Sequence, residues 1–148
     1  MLELSGIHVN YGAAPALWDV ALKVDNGELA CVVGPNGAGK TTLINTVAGL
    51  LRARSGSMRY QGQDITRLAP HRFCDAGIAL VPEGRRLFTG MSVHENLDLG
   101  SFRGAARARR EQSLDAVLAL FPRSSRSWQH PPGLCRAGSS RWWPSVGP

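Results

Sequence analysis

The sequence predicts an α/β fold, and three observations carry the prediction. Apolar residues alternate at period two through the first 24 residues. A glycine-rich turn sits between an apolar run and an amphipathic helical pattern. A second apolar run and two further helical patterns follow before residue 122.

In chain order, Leu2, Leu4, Ile7, Val9 and Tyr11 share one face of a first strand, with Gly6 at the position of a bulge. Trp18, Val20, Leu22 and Val24 alternate with Asp19, Ala21, Lys23 and Asp25 on the opposite face, which predicts a second strand. Asn26-Gly27 is a hairpin signal, and the apolar stretch within 28–33 reads as a third, buried strand. Beyond the glycine-rich turn, Leu43, Ile44, Val47 and Ala48 recur at helical spacing, and Gly49 marks the stop. A short strand, 58–60, lies between Gly56 and Gly62, Pro70 opens a short helix, and 78–81 reads as another buried strand ended by Pro82. Ser92 and Glu95 form a capping box that starts a helix to about Leu99. A last helix carries Leu114, Val117, Leu118 and Phe121 on one face and is ended by Pro122; Arg103, Arg107, Arg109 and Arg110 stand at its start as a solvated face.

Composition narrows the function classes. The 148 residues are 43% apolar, with no run approaching the roughly 20 apolar residues of a membrane helix, and the first residues lack the basic-then-apolar order of a signal peptide. A cytoplasmic protein is therefore expected. The net charge of +6 is concentrated at the end: residues 1–122 hold thirteen basic and all eleven acidic residues, and Arg123, Arg126, Arg136 and Arg141 supply the remainder. A general basic face for nucleic acid is not implied. Cys31, Cys74 and Cys135 show neither metal-ligand nor disulfide spacing, and the four histidines are scattered.

Chemistry enters at Gly34-Pro35-Asn36-Gly37-Ala38-Gly39-Lys40-Thr41, followed by Thr42, which fits G-x-x-x-x-G-K-[ST] at every fixed position and has the right apolar run before it and helix after it. Glycines let consecutive backbone N–H groups converge on a phosphate, and the helix beginning near Lys40 adds the positive end of its dipole. Lys40 is expected at the β- and γ-phosphates of a nucleoside triphosphate and the Thr41 hydroxyl on Mg²⁺. This loop alone does not distinguish kinases, GTPases and transport ATPases.

The order of Tyr11-Gly12, an antiparallel strand pair, GPNGAGKTT, SGSMRYQGQDIT and GIALVPEGRRLFTGMSVHENL resembles the nucleotide-binding domain of ABC transporters, most of all the ATP-binding subunits of branched-chain amino acid importers. The resemblance covers about 2–122. It implies a P-loop NTPase with an antiparallel β-subdomain first and part of a helical subdomain at about 92–121, so that 1–122 is a partial domain. It further implies ATP and Mg²⁺ as cofactors, with residues 34–42 as the cradle and Tyr11 stacking on adenine, a task suited to an aromatic face. Glu83 matches the position where the wider family has a glutamine that meets Mg²⁺ and the attacking water; glutamate there matches the branched-chain subgroup. Arg85 and Arg86 are either a permease-facing pair or part of a solvated loop. The implied partners are transmembrane permease subunits, a companion ATP-binding subunit and, indirectly, a substrate-binding protein, at the inner face of the plasma membrane. Rival readings are a MgATP-binding module without turnover and a non-transport ATPase of the same class.

The family's signature loop, its Asp-Glu strand end and its downstream histidine have no counterpart in these 148 residues. An open sheet edge with exposed apolar surface, and hence poor solubility, is the expectation. Residues 123–148 have a different composition, rich in Ser, Arg, Pro, Gly and Trp, with no acidic residue and no period, and are expected to be a disordered tail foreign to the fold. Tryptophan has a single codon, so Trp142-Trp143-Pro144 read from the third base of the preceding codon must contain Val-Ala. The neighbouring codons can then encode LSGGEQQMVAIGR, which resembles the signature loop and the helix after it. A reading-frame shift between about Pro122 and Trp128 accounts for this. Resequencing the DNA across the codons for 118–148 tests it: the shifted frame should read LSGGEQQ, and a shifted frame without that motif overturns the hypothesis.

Overall fold

The computed structural model describes residues 1–84 and 86–122. The predicted tail and Arg85 lie outside the described residues. The chain divides into two units, Met1–Ala79 and Leu80–Pro148.

The first unit is built on strands β1 (Leu2–Tyr11), β2 (Ala14–Val24), β3 (Ser55–Tyr60) and β4 (Gln63–Asp64), with helix α1 (Lys40–Val47) between β2 and β3. They form one sheet in the order β2-β1-β3-β4, and every pairing is antiparallel. Leu4, Ile7 and Val9 of the central β1 are buried with Leu17, Leu43, Met58, Ile65 and Phe73 in a single apolar cluster. Helix α1 thus packs on the sheet through Leu43, and its buried Thr46 donates its hydroxyl to the Thr42 carbonyl at 2.7 Å. The helix ends as Gly49 predicts. Gly49 N–H donates to Thr46 O and Leu50 N–H to Asn45 O, the paired bonds of a Schellman motif. Pro70 opens a 3₁₀ turn, Pro70–Arg72.

Five expectations are corrected. Trp18 does not share the half-buried face of Val20, Leu22 and Val24: it is 76% exposed and meets the His8 ring edge-on at 5.0 Å. The cause is an extra residue in β2. Val9 pairs with Leu17 but Ile7 with Val20, and Asp19 takes a positive φ of 48° at that bulge. The phase of the strand shifts, so Leu17 faces in instead.

Residues 28–33 and 78–81 are not strands. A strand exists by pairing, and among the described residues none pairs with either segment; Leu29 is 96% and Val33 83% exposed. The hairpin signal at Asn26-Gly27 therefore produces a turn without a hairpin, in which Glu28 N–H reaches Asp25 O at 3.3 Å. The hairpin proper is at Gly12-Ala13, where Tyr11 pairs with Ala14. Finally, the last predicted helix is two pieces, α3 (Gly104–Ala108) and α4 (Arg110–Leu120), broken at Arg109.

In the second unit, helix α2 (Val93–Gly100) begins with the expected capping box. Glu95 N–H donates to the Ser92 hydroxyl at 3.2 Å, and Ser92 N–H donates to a Glu95 carboxylate oxygen at 2.7 Å. Asn96 secures the preceding loop by exchanging hydrogen bonds with the Phe88 backbone, each of 3.0 Å. Arg110 donates to Asp98 at 2.5 Å, which ties the start of α4 to α2 and offsets a positive charge at a helix N-terminus.

The Ser92 amide, and secondarily its hydroxyl, hold the Glu95 carboxyl below its ordinary value of 4.5. The sign follows: a depressed carboxyl pKa stabilises the cap above that ordinary value, and the stabilisation fades as pH falls through the folded value. Amide exchange in the first turn of α2 should accelerate, relative to the β1 amides, when pH is lowered below 4.5. Ser92→Ala should accelerate it at neutral pH as well. A first turn whose relative protection ignores both changes contradicts the cap.

Candidate functional site

The site grows out of the β1–β2 hairpin. Its turn brings Tyr11, at the end of β1, and Ala16-Leu17, early in β2, to the edge of the sheet nearest the start of α1. Gly39 is the residue on which this approach depends. It caps α1 in a left-handed conformation (φ 84°), and a Cβ there would lie 2.8 Å from both the Ala16 carbonyl oxygen and Leu17 Cδ2. No side chain fits, and the loop is seated directly on β2.

From Gly39 the helix starts at once, Leu43 N–H donating to Gly39 O at 2.8 Å. No side chain caps it and no acidic residue stands in its first turn, so its leading amides and dipole end are left for an anion. Within the loop, Ala38 N–H donates to Pro35 O at 3.3 Å. The Lys40 ammonium folds back over the loop and donates to Gly34 O at 2.8 Å and to Pro35 O at 2.6 Å. A cation, uncapped amides and a solvent-facing loop thus meet at one place, with Gly34, Pro35, Asn36, Gly37 and Ala38 all exposed.

Thr41 is exposed in the first turn, whereas Thr42 is 8% exposed. Tyr11 is 55% exposed, and its hydroxyl lies 3.4 Å from Thr42 Oγ1. The first unit therefore brings together Tyr11 and the whole of 34–42. Glu83 belongs to the second unit, exposed in the bend after Pro82, and Arg86 is exposed beyond it. The residues that fit an anion and a hydroxyl-ligated divalent ion are thus the loop, Lys40 and Thr41. Two features escaped the sequence reading: the seat made by Ala16 and Leu17, and the Tyr11–Thr42 contact. Each joins residues more than 20 positions apart, and no local pattern encodes it.

The sequence profile described as ABC transporter matches residues 17–133, and the chain belongs to that family. It is 38% identical over 141 residues to the high-affinity branched-chain amino acid transport ATP-binding protein BraG of Pseudomonas aeruginosa, covering 95% of this chain and 60% of the relative. It is 33% identical over 122 residues to the probable branched-chain amino acid transport ATP-binding protein LivF of Archaeoglobus fulgidus, covering 82% and 51%. Import ATP-binding proteins for sn-glycerol-3-phosphate and ribose match as well. A solved ATP-binding subunit of an ABC transporter superposes with a TM-score of 0.80 at 30% identity, over 95% of this chain and 58% of that one. The fold is accordingly that of an ABC P-loop cassette, of which this chain spans little more than half the length. Among the described residues no helix is long and apolar enough to cross a membrane.

Gly39→Ala should cost more stability than Gly37→Ala. Both positions have positive φ, a cost of about 1–2 kcal/mol for a non-glycine residue, but a Cβ at Gly37 meets nothing within 4 Å. Urea unfolding followed by far-UV circular dichroism compares them. Equal losses would mean that the loop does not press on β2 as described.

Proposed function

We propose that the loop binds MgATP and that the chain is the ATP-binding part of an ABC importer of branched-chain amino acids, the class named for its relatives BraG and LivF. The observation that carries the nucleotide reading is the Lys40 ammonium held over a loop whose following helix has uncapped amides. Lys40 meets the β- and γ-phosphates, the amides of 37–42 cradle them, and Tyr11 stacks on the adenine. Thr41 would hold Mg²⁺ by its hydroxyl. When bound, Mg²⁺ would supply charge neutralisation at the phosphates.

In this reading the chain works with transmembrane permease subunits, a companion ATP-binding subunit and, indirectly, a substrate-binding protein, at the inner face of the plasma membrane. Transport specificity is set by those partners, and the neighbouring matches to sugar and glycerol-phosphate importers fit a shared motor with exchangeable partners.

Isothermal titration with MgATP tests the proposal. The chain should bind MgATP, and Lys40→Ala should weaken binding about ten-fold or more, the scale of hydrogen bonds to a charged group. Steady-state phosphate release abolished by Lys40→Ala distinguishes an ATPase from a binding module, and co-purification with a permease distinguishes a transport subunit from other members of the class. A chain indifferent to MgATP, or a Lys40→Ala variant that binds as well as the parent, refutes the nucleotide site.

A further inference from the structure

We infer that Thr42 is a positioning residue for the nucleobase: its hydroxyl tethers the Tyr11 ring, so that the base platform and the phosphate loop are set by one hydrogen bond. The inference rests on the nucleotide reading above and goes further into that same site.

Three observations carry it. The Tyr11 and Thr42 hydroxyl oxygens are 3.4 Å apart although their residues are 31 positions apart in sequence. Thr42 is 8% exposed, so its hydroxyl has little access to water, and the Tyr11 hydroxyl meets its need for a partner. Tyr11 is nevertheless 55% exposed: it is held by its rim while much of the ring stays open to a ligand. An aromatic residue at the last position of β1 would otherwise be free to rotate about χ1 and χ2, and stacking on a base would then carry the entropy of arresting it.

The other end of the tether is fixed as well. Thr42 lies in the first turn of α1, and its carbonyl accepts the buried Thr46 hydroxyl at 2.7 Å. The next residue, Leu43, is locked into the apolar core. A displacement of the start of α1 is therefore transmitted to the ring, and a base stacked on the ring bears on the helix that receives the phosphates. Phenylalanine would stack equally well but would have no tether; tyrosine at this position is explained by its hydroxyl.

The test compares ATP with inorganic tripolyphosphate, both with Mg²⁺, by titration calorimetry on the full chain. The ratio of the two affinities isolates the nucleoside from the triphosphate. The parent should prefer ATP. Tyr11→Phe, which keeps the ring, should reduce that preference about five-fold, the scale of one neutral hydrogen bond. Thr42→Val should reduce it similarly, Thr42→Ser should restore it, and adding Tyr11→Phe to Thr42→Val should produce no further loss. A parent that prefers ATP, with Tyr11→Phe preferring it equally, overturns the tether and leaves the nucleotide site standing. A parent that binds neither ligand overturns the nucleotide reading, and the tether with it.

Discussion

The contact between Gly39 and the Ala16 carbonyl sets the position of everything else in the first unit. Because a Cβ at Gly39 would come within 2.8 Å of that oxygen, the last turn of the loop lies flat on β2, and α1 leaves from a point fixed by the sheet. Leu43 then falls into the cluster formed by Leu4, Ile7, Val9 and Leu17, and Thr42 comes within reach of Tyr11. Close backbone approach costs a side chain at one position and gains a rigid junction between a sheet and a helix terminus. The antiparallel hairpin thus has a purpose beyond its own packing: it is the surface against which a flexible, glycine-rich segment acquires one shape.

What the sequence made legible was local. The glycine-rich turn before α1, the stop at Gly49, the 3₁₀ turn at Pro70, the bulge at Gly6 and the cap at Ser92 and Glu95 each depend on residues within one or two turns of each other, and their residue types have few alternative uses. The departures were non-local. The alternation of Trp18 with Val20, Leu22 and Val24 breaks because one residue inserted at Asp19 reverses the phase of a strand, and alternation on the near side of the insertion looks identical either way. The apolar runs at 28–33 and 78–81 have the composition of buried strands, but a strand is a relation between two segments and composition names only one of them. The break at Arg109 likewise reflects the reach of Arg110 to Asp98, a partner on another helix.

For the candidate site, the same division holds. The residues of 34–42 could be named from a pattern, because converging amides require glycine and a phosphate requires a cation at a fixed offset. The role of Tyr11 came from resemblance, and the seat on β2 came from neither. The expectation for Glu83 likewise came from resemblance, and the residue is exposed in the second unit.

The two hydrogen bonds from the Lys40 ammonium to Gly34 O and Pro35 O have a consequence for which anions the loop admits. The ammonium and the two carbonyls satisfy one another, so an anion that pairs with Lys40 must displace two carbonyls. Chloride or another small univalent ion offers one diffuse charge against two oriented dipoles, and its own hydration must be shed as well. A polyphosphate chain offers several oxygens at once and can engage the helix amides while the ammonium turns over. The two carbonyls thus compete with any anion for the ammonium, and that competition favours a ligand with several oxygens over one with a single charge.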